Sequence, residues 1–266
     1  MHLAPYTHEN KVDILIIQEP YCYKGEPRYI PPDYSALFAP SNKNPRASLL
    51  IKRDIVRNFM FLHQFSNPDN TIVVTATNPP PIHIARSYLP PYDTLEQDLT
   101  PIETFLTTVK PKNVWGLDAN SKHSLWYSPT TDSRGRVLVD FFSSHGLLTI
   151  NEKDGPTYSG PTGESWIDIT ASSIDLAHKI QNWRISEDNT LSDHNLILFS
   201  LRTHNNTMHS NRTTSHPTRE FATQVGNWRL FQQKVVQHRQ QWEDLIPQQR
   251  SNLTQLLQQS GTIWRI

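Results

Sequence analysis

The sequence predicts a mixed α/β sandwich in which two sheets face each other. Three features of the 266 residues carry that prediction: several short apolar segments rich in β-branched residues, two amphipathic helical stretches, and hairpin-like spacing between the segments. A hydrophobic content of 36% with seven Trp is enough to fill such a core, and 20 Pro against nine Gly point to rigid loops.

The elements follow in order. "VDILII" (12–17) reads as a buried strand, running into the polar pair Gln18-Glu19 before Pro20 stops further pairing. "ASLLIKR" (47–53), "TIVVTAT" (71–77) and "IHIARSY" (82–88) read as further strands, with "NPPP" (78–81) as a tight connection between the last two. Residues 94–109 predict a helix with Leu95, Leu99, Ile102, Phe105, Leu106 and Val109 on one stripe. "NVWGLDAN" (113–120) is a short strand ending in polar residues. A second helix covers 134–145, with Val137, Leu138, Phe141 and Phe142 on one face and Gly146 placed to end it. "WIDITAS" (166–172), the weaker "QNWRIS" (181–186) and "HNLILFSL" (194–201) complete the strands, and no internal repeat is present.

Composition divides the chain into a domain at 1–202, a polar linker at 203–218 and a helical segment at 219–266. In the last segment Trp228, Phe231, Val235 and Trp242 recur at helical spacing, and Leu253, Leu256 and Leu257 suggest a second helix. So short a stretch buries little by itself. It packs on another body, or forms a small hairpin on the main domain.

Lys and Arg number 25 and so do Asp and Glu, which excludes a globally basic nucleic-acid binder and leaves room for a local basic groove. The single cysteine, Cys22, excludes an internal disulfide or a thiolate zinc site. It favours cytosol or nucleus over secretion. No signal-peptide core or bilayer-length apolar run is present, so a soluble protein without a membrane partner is expected.

Polar residues recur where apolar strands end: Glu19, Tyr88, Asp118 with Asn120, Asp168, and Asp193 with His194. Each has an ordinary structural reading. Glu19 suits a solvated turn, "DAN" an Asx turn, Asp168 the exposed face of a strand, Tyr88 a half-buried core, and "SDHN" (192–195) a cap before a strand. Taken together they supply the parts of a metal-assisted phosphodiester hydrolase. A carboxylate suits Mg²⁺, an Asp fixes and charges a His, a second Asp takes a proton from water with an Asn beside it, and a Tyr donates to developing charge.

Six segments in this order resemble one family: "LIIQEPY" (15–21), "SYLPP" (87–91), "WGLDANSKHSLWYS" (115–128), "TTDSRGRVLVDFFSSHGLLTIN" (130–151), "PTYSGPTGESWIDIT" (156–170) and "LSDHNLILFSL" (191–201). They are similar to the endonuclease domain of non-LTR retrotransposon polyproteins, in the endonuclease/exonuclease/phosphatase family. The resemblance covers roughly 12–202 and implies a DNase I-like four-layer α/β sandwich, two facing mixed sheets flanked by helices. It implies Glu19 and Asp193 at a Mg²⁺ site (Mn²⁺ as substitute), Tyr88 on the phosphate, and Asp118 with Asn120 at the water. It also implies an Asp168–His194 pair.

The family normally opens with a further strand carrying an Asn, so the resemblance implies a chain shortened at its start and leading, through 219–266, toward a reverse transcriptase. The implied activity is nicking of a target DNA duplex in the nucleus, priming copying of the element RNA. Backbone contacts are expected from Lys43, Arg46, Lys122, Arg134 and Arg136 in polar loops, although a solvated surface explains any one of them. Two alternatives stand beside this: an inactive DNA-binding relic, and a phosphoesterase of the same fold acting on another ester.

Overall fold

The β-branched runs become strands and the amphipathic stripes become helices. The computed structural model describes residues 3–76, 80–161, 163–186, 188 and 192–203. The expected linker and helical segment, apart from Thr203, lie outside them, as do residues 78 and 79 of the "NPPP" connection. The chain runs through α1 (Leu3–Glu9), β1 (Ile14–Gln18), β2 (Cys22–Tyr23), β3 (Glu26–Pro27), β4 (Tyr34–Leu37) and β5 (Ala47–Lys52). It continues through β6 (Phe59–Phe61), β7 (Asn70–Thr75), β8 (Ile82–Tyr88), α2 (Leu95–Val109), β9 (Lys112–Asp118), α3 (Ser133–Ser144) and β10 (Leu147–Thr149). The remaining elements are β11 (Tyr158–Gly160), β12 (Gly163–Ser165), β13 (Asp168–Ser173), α4 (Ile174–Ala177), β14 (Ile180–Ile185) and β15 (Ile197–Leu201).

Two sheets make the sandwich. The smaller is three-stranded and antiparallel, ordered β1-β5-β4. The larger is six-stranded, ordered β10-β13-β9-β8-β7-β6, with β8 and β9 parallel and the other pairs antiparallel. Between them Leu49, Ile51, Val73 and Ile84 pack with Ile14 and Ile16. The alternation that turns these residues inward turns Leu15 and Leu50 outward, where they meet Tyr34. Tyr6 and Thr7 of α1 are buried, and the Thr7 side chain hydrogen-bonds the Tyr34 hydroxyl on that outer face.

The other face of the larger sheet carries α2 and α3. Leu95, Leu99, Ile102 and Phe105 of α2 join Trp115, Leu138 and Phe142 in the largest apolar cluster. Asp132 caps α3 by accepting from the Gly135 N–H at 2.6 Å, and Gly146, at φ +64°, ends the chain's exit from that helix. Gly135 is required for space, since an added Cβ would fall 2.0 Å from the Lys122 carbonyl oxygen. Four layers result, in the expected order of helix, sheet, sheet, helices.

Most boundaries shift by one or two residues, and three departures from expectation bear on the site. Trp166 and Ile167 precede β13, because Ile167 N–H turns aside to the Thr157 hydroxyl. His194 and Asn195 precede β15, His194 making a single bridge to Tyr158. Arg134 and Arg136 lie in α3 rather than in loops. Among the described residues no helix is long and apolar enough to cross a membrane.

Candidate active site

Strand register builds the site. Along the parallel β8/β9 pair Arg86 stands beside Gly116 and Tyr88 beside Asp118. Across the antiparallel β9/β13 pair Asp118 stands beside Asp168. Side chains alternate along each strand, so Arg86, Tyr88, Asp118 and Asp168 all look toward the smaller sheet. There Ile16 lies against Gly116, where an added Cβ would sit 2.9 Å from its Cγ2.

His194 reaches this group from the segment before β15. Its Nδ1 donates to Asp168 Oδ2 at 2.9 Å, and its Nε2 lies 3.9 Å from Asp118 Oδ2. The Tyr158 ring stands edge-on to the imidazole, centroids 5.1 Å apart at 79°. Backbone bonds set the segment: Ser159 N–H donates to the Asp193 carbonyl (2.7 Å) and Asn195 N–H to the Thr157 carbonyl (2.8 Å). Asp168 is held on every side. Its N–H donates to the Thr157 hydroxyl, its carbonyl accepts from Asn151, and its second carboxylate oxygen accepts from the Gln18 amide of β1.

Asp118 and Asp168 are buried side by side. Burial, then the charge of Asp168, raises the Asp118 carboxyl well above the usual carboxylate range, although Arg86 and His194 oppose the shift. Burial pulls the His194 imidazole down, but its bond to Asp168 and the two carboxylate charges outweigh that and raise it.

Glu19 closes the opposite side. It sits at the end of β1 at φ +36°, a left-handed conformation unusual for a non-glycine residue, with its N–H donating to the Arg46 carbonyl at 2.9 Å. Its carboxylate bonds the Tyr88 hydroxyl. Burial, then the charges of Glu19 and Asp118, raise the Tyr88 phenol, so it stays a proton donor.

The expected residues therefore separate into groups. Asp118, Asp168 and His194 come together, with one ligand atom from each within 4.8 Å of the others. Glu19 and Asp193 stand outside that close set, and the Asp193 side chain is exposed. Asn120, at φ +43°, turns its amide to the Leu89 carbonyl at 3.2 Å and meets Asp118 through its backbone N–H. Arg46 pairs with Asp69 and donates to the Tyr92 hydroxyl at 2.8 Å. Arg134 spends its donors on the carbonyls of Asn120, Asp93 and Leu89, tying the loop after β8 to the loop after β9. Lys43, Lys122 and Arg136 are exposed. Sequence reasoning passed over Gln18, Arg86 and Tyr158. Arg86 had a visible signal, a charge on the same face as Ile82 and Ile84.

A divalent cation fits this chemistry. The donors are hard carboxylate oxygens, and Asp118 Oδ1 is buried with no hydrogen-bond partner among the described residues.

Comparison with known proteins agrees with the geometry. Residues 82–198 match the Endonuclease-reverse transcriptase family. A Pol polyprotein from the type-1 retrotransposable element R1 of Bradysia coprophila is 30% identical over 93 residues, which are 32% of this chain and 9% of that protein. The chain thus spans a small part of that relative's length. The solved endonuclease domain of TRAS1, a telomere-specific non-LTR retrotransposon, superposes with a TM-score of 0.66 at 27% identity, over 76% of this chain and 91% of that one. An AP endonuclease from Archaeoglobus fulgidus shares the fold at 18% identity and a TM-score of 0.56, over 75% of this chain and 92% of that one. The domain carrying the Asp118–Asp168–His194 group is similar over residues 82–198 to the endonuclease-reverse transcriptase family, and shares the DNase I-like fold with the endonuclease domain of a non-LTR retrotransposon.

Proposed function

We propose that this chain is a metal-dependent endonuclease that nicks a DNA duplex by hydrolysing one phosphodiester. The carrying observation is the placement of His194, bonded to Asp168 and turned toward Asp118. The retrotransposon relatives favour this reading over both alternatives, a relic and a phosphoesterase for another ester.

In the reaction Asp118 takes a proton from the attacking water, whose oxygen bonds to phosphorus as the P–O3′ bond breaks. A 3′-hydroxyl and a 5′-phosphate result. His194, charged through Asp168, and the Tyr88 hydroxyl donate to the non-bridging oxygens as negative charge builds on them. The Asn120 N–H fixes Asp118, and Arg134 fixes Asn120. Glu19, Asp193 and the open oxygen of Asp118 are the groups that would hold Mg²⁺, or Mn²⁺ in its place, which when bound offsets charge on the phosphate. The exposed Lys43, Lys122 and Arg136 supply backbone contacts to the duplex.

In its wider setting the 3′-hydroxyl primes reverse transcription in the nucleus, with a reverse transcriptase domain and the element RNA as partners. A supercoiled-plasmid nicking assay in Mg²⁺ tests the chemistry. Wild type should nick at least a hundredfold faster than His194→Ala and Glu19→Ala; equal rates would end the nuclease reading.

A further inference from the structure

Two residues after Glu19 the chain turns its aromatic rings out to water. Tyr21 is 62% exposed and Tyr29 80%, and their rings lie 5.4 Å apart, tilted at 39°. Exposed aromatic surface of this extent marks a contact. The β2–β3 hairpin between them is tight: Lys24 and Gly25, at φ +53° and +79°, make the two-residue turn that suits a hairpin's twist. Tyr29 sits at φ +58°, a left-handed conformation uncommon for a bulky residue.

Both rings line a cleft of about 190 Å³ on the outer face of the smaller sheet. Ser48 and Leu50 of β5 form its floor, Pro20 stands with the two tyrosines in its wall, and the exposed Arg28 also borders it. The Ser48 hydroxyl is fully buried and has no hydrogen-bond partner among the described residues. A buried hydroxyl left unpaired is costly, so this one points to a group that enters the cleft and pairs with it. A cavity of about 150 Å³ holds one benzene ring and drug-sized ligands need about 300 Å³ or more, so the room here is for one planar heterocycle. The tyrosines touch at 5.4 Å and leave no slot between them, so they offer a wall to stack against.

Flat apolar walls with one hydroxyl suit a nucleobase, which offers a π-face to stack and polar edge atoms to bond. Continuity with the candidate site favours DNA as its source. Tyr21 follows Glu19 by at most about 7 Å of chain, which is about two base steps along a strand. Charge agrees with this. Lys24 Nζ and Arg28 Cζ lie over the Tyr23 ring at 5.5 and 5.6 Å, which gathers both cations on the hairpin. Glu26, 3.4 Å from Arg28, is exposed, and so open a pair yields to a phosphate.

We propose that the cleft takes one unpaired base of the DNA strand beside the cleaved bond, stacked on Tyr21 and Tyr29, with Lys24 and Arg28 on the neighbouring phosphates. The proposal rests on the nuclease reading for the choice of DNA, and its test reads binding rather than cleavage.

Fluorescence anisotropy with the full chain compares two labelled duplexes, identical except for one unpaired base in the second. Divalent ions are chelated so that neither is cut. Wild type should bind the bulged duplex about tenfold more tightly, the effect of one stacked base. Replacing both rings, Tyr21→Phe with Tyr29→Phe, should keep the preference. Tyr21→Ala with Tyr29→Ala, at two exposed positions outside the core, should lose it. Wild type that binds the two duplexes equally, or binds neither, overturns the proposal. So does a folded double-alanine chain, checked by circular dichroism, that keeps the preference. A preference without plasmid nicking keeps the cleft and removes the nuclease; nicking without a preference does the reverse.

Discussion

Arg46 lies over the Tyr88 ring, its guanidinium carbon 4.7 Å from the ring centroid. Asp69 and the Tyr92 hydroxyl hold the guanidinium there, so a residue expected to grip DNA instead presses on the tyrosine proposed to face the phosphate. Arg46→Lys keeps the charge and loses the guanidinium that lies over the ring. It should lower kcat/KM about tenfold while leaving the salt dependence of DNA binding unchanged, whereas Lys122→Ala should reduce that slope by about one. If Arg46→Gln, which removes the charge, reduces the slope by about one, Arg46 is a phosphate contact after all.

Gln18 bonds the one oxygen of Asp168 that His194 leaves available. Gln18→Ala leaves that oxygen without its donor and loosens the imidazole's anchor. Single-turnover nicking should slow by about 10–100-fold, with a stability loss of only about 1 kcal/mol in urea. Gln18→Glu, which sets a carboxylate against Asp168, should be worse on both measures. Wild-type turnover by Gln18→Ala would mean that Asp168 needs no support from β1.

Protonation supplies another test. Burial and the neighbouring Asp168 push Asp118 up to about 7 from 3.8. Between those values the folded chain keeps a proton that the unfolded chain has released, so stability falls as pH rises through that window. His194, raised above 6.5, adds to the fall as pH rises through its folded value. With divalent ions chelated, the melting temperature should decline from about pH 5 to about pH 8, and Asp118→Asn should remove most of the decline. An unchanged slope in Asp118→Asn would place the proton elsewhere. The rate should drop below neutrality, because a protonated Asp118 cannot take the water's proton.

Much of the scaffold could be read from the sequence because its strands are continuous β-branched runs and its helices carry clear stripes. The short strands β2, β3, β4, β6, β10, β11 and β12 could not, because two to four residues hold too little pattern to declare a period. The site residues were legible by their order along the chain, not by chemistry alone: Asp168 looks like any strand acid until His194 is beside it. Partners were harder to read than charges. Arg46 and Arg134 look like cations available to DNA, and only the fold reveals Asp69 under one and three carbonyls around the other. Gln18 was in plain view beside Glu19, but an uncharged amide gives no sign that it will be spent on a carboxylate 150 positions away.

Asp118 and Asp168 are direct cross-strand neighbours on the β9/β13 ladder, and that has a consequence for how the domain fails. A slip of one residue would bring Ile169 opposite Asp118 and turn Asp168 to the far face. The ladder has no halfway register, so damage to this pairing is all or none, never a weakened version of the same enzyme. Forty-nine residues separate the two strands, and the loops among them can change length as long as α3, β10 and the residues that hold Asp168 keep their places. The catalytic spacing is stored in the hydrogen-bond lattice rather than in the loops that carry the chain around it.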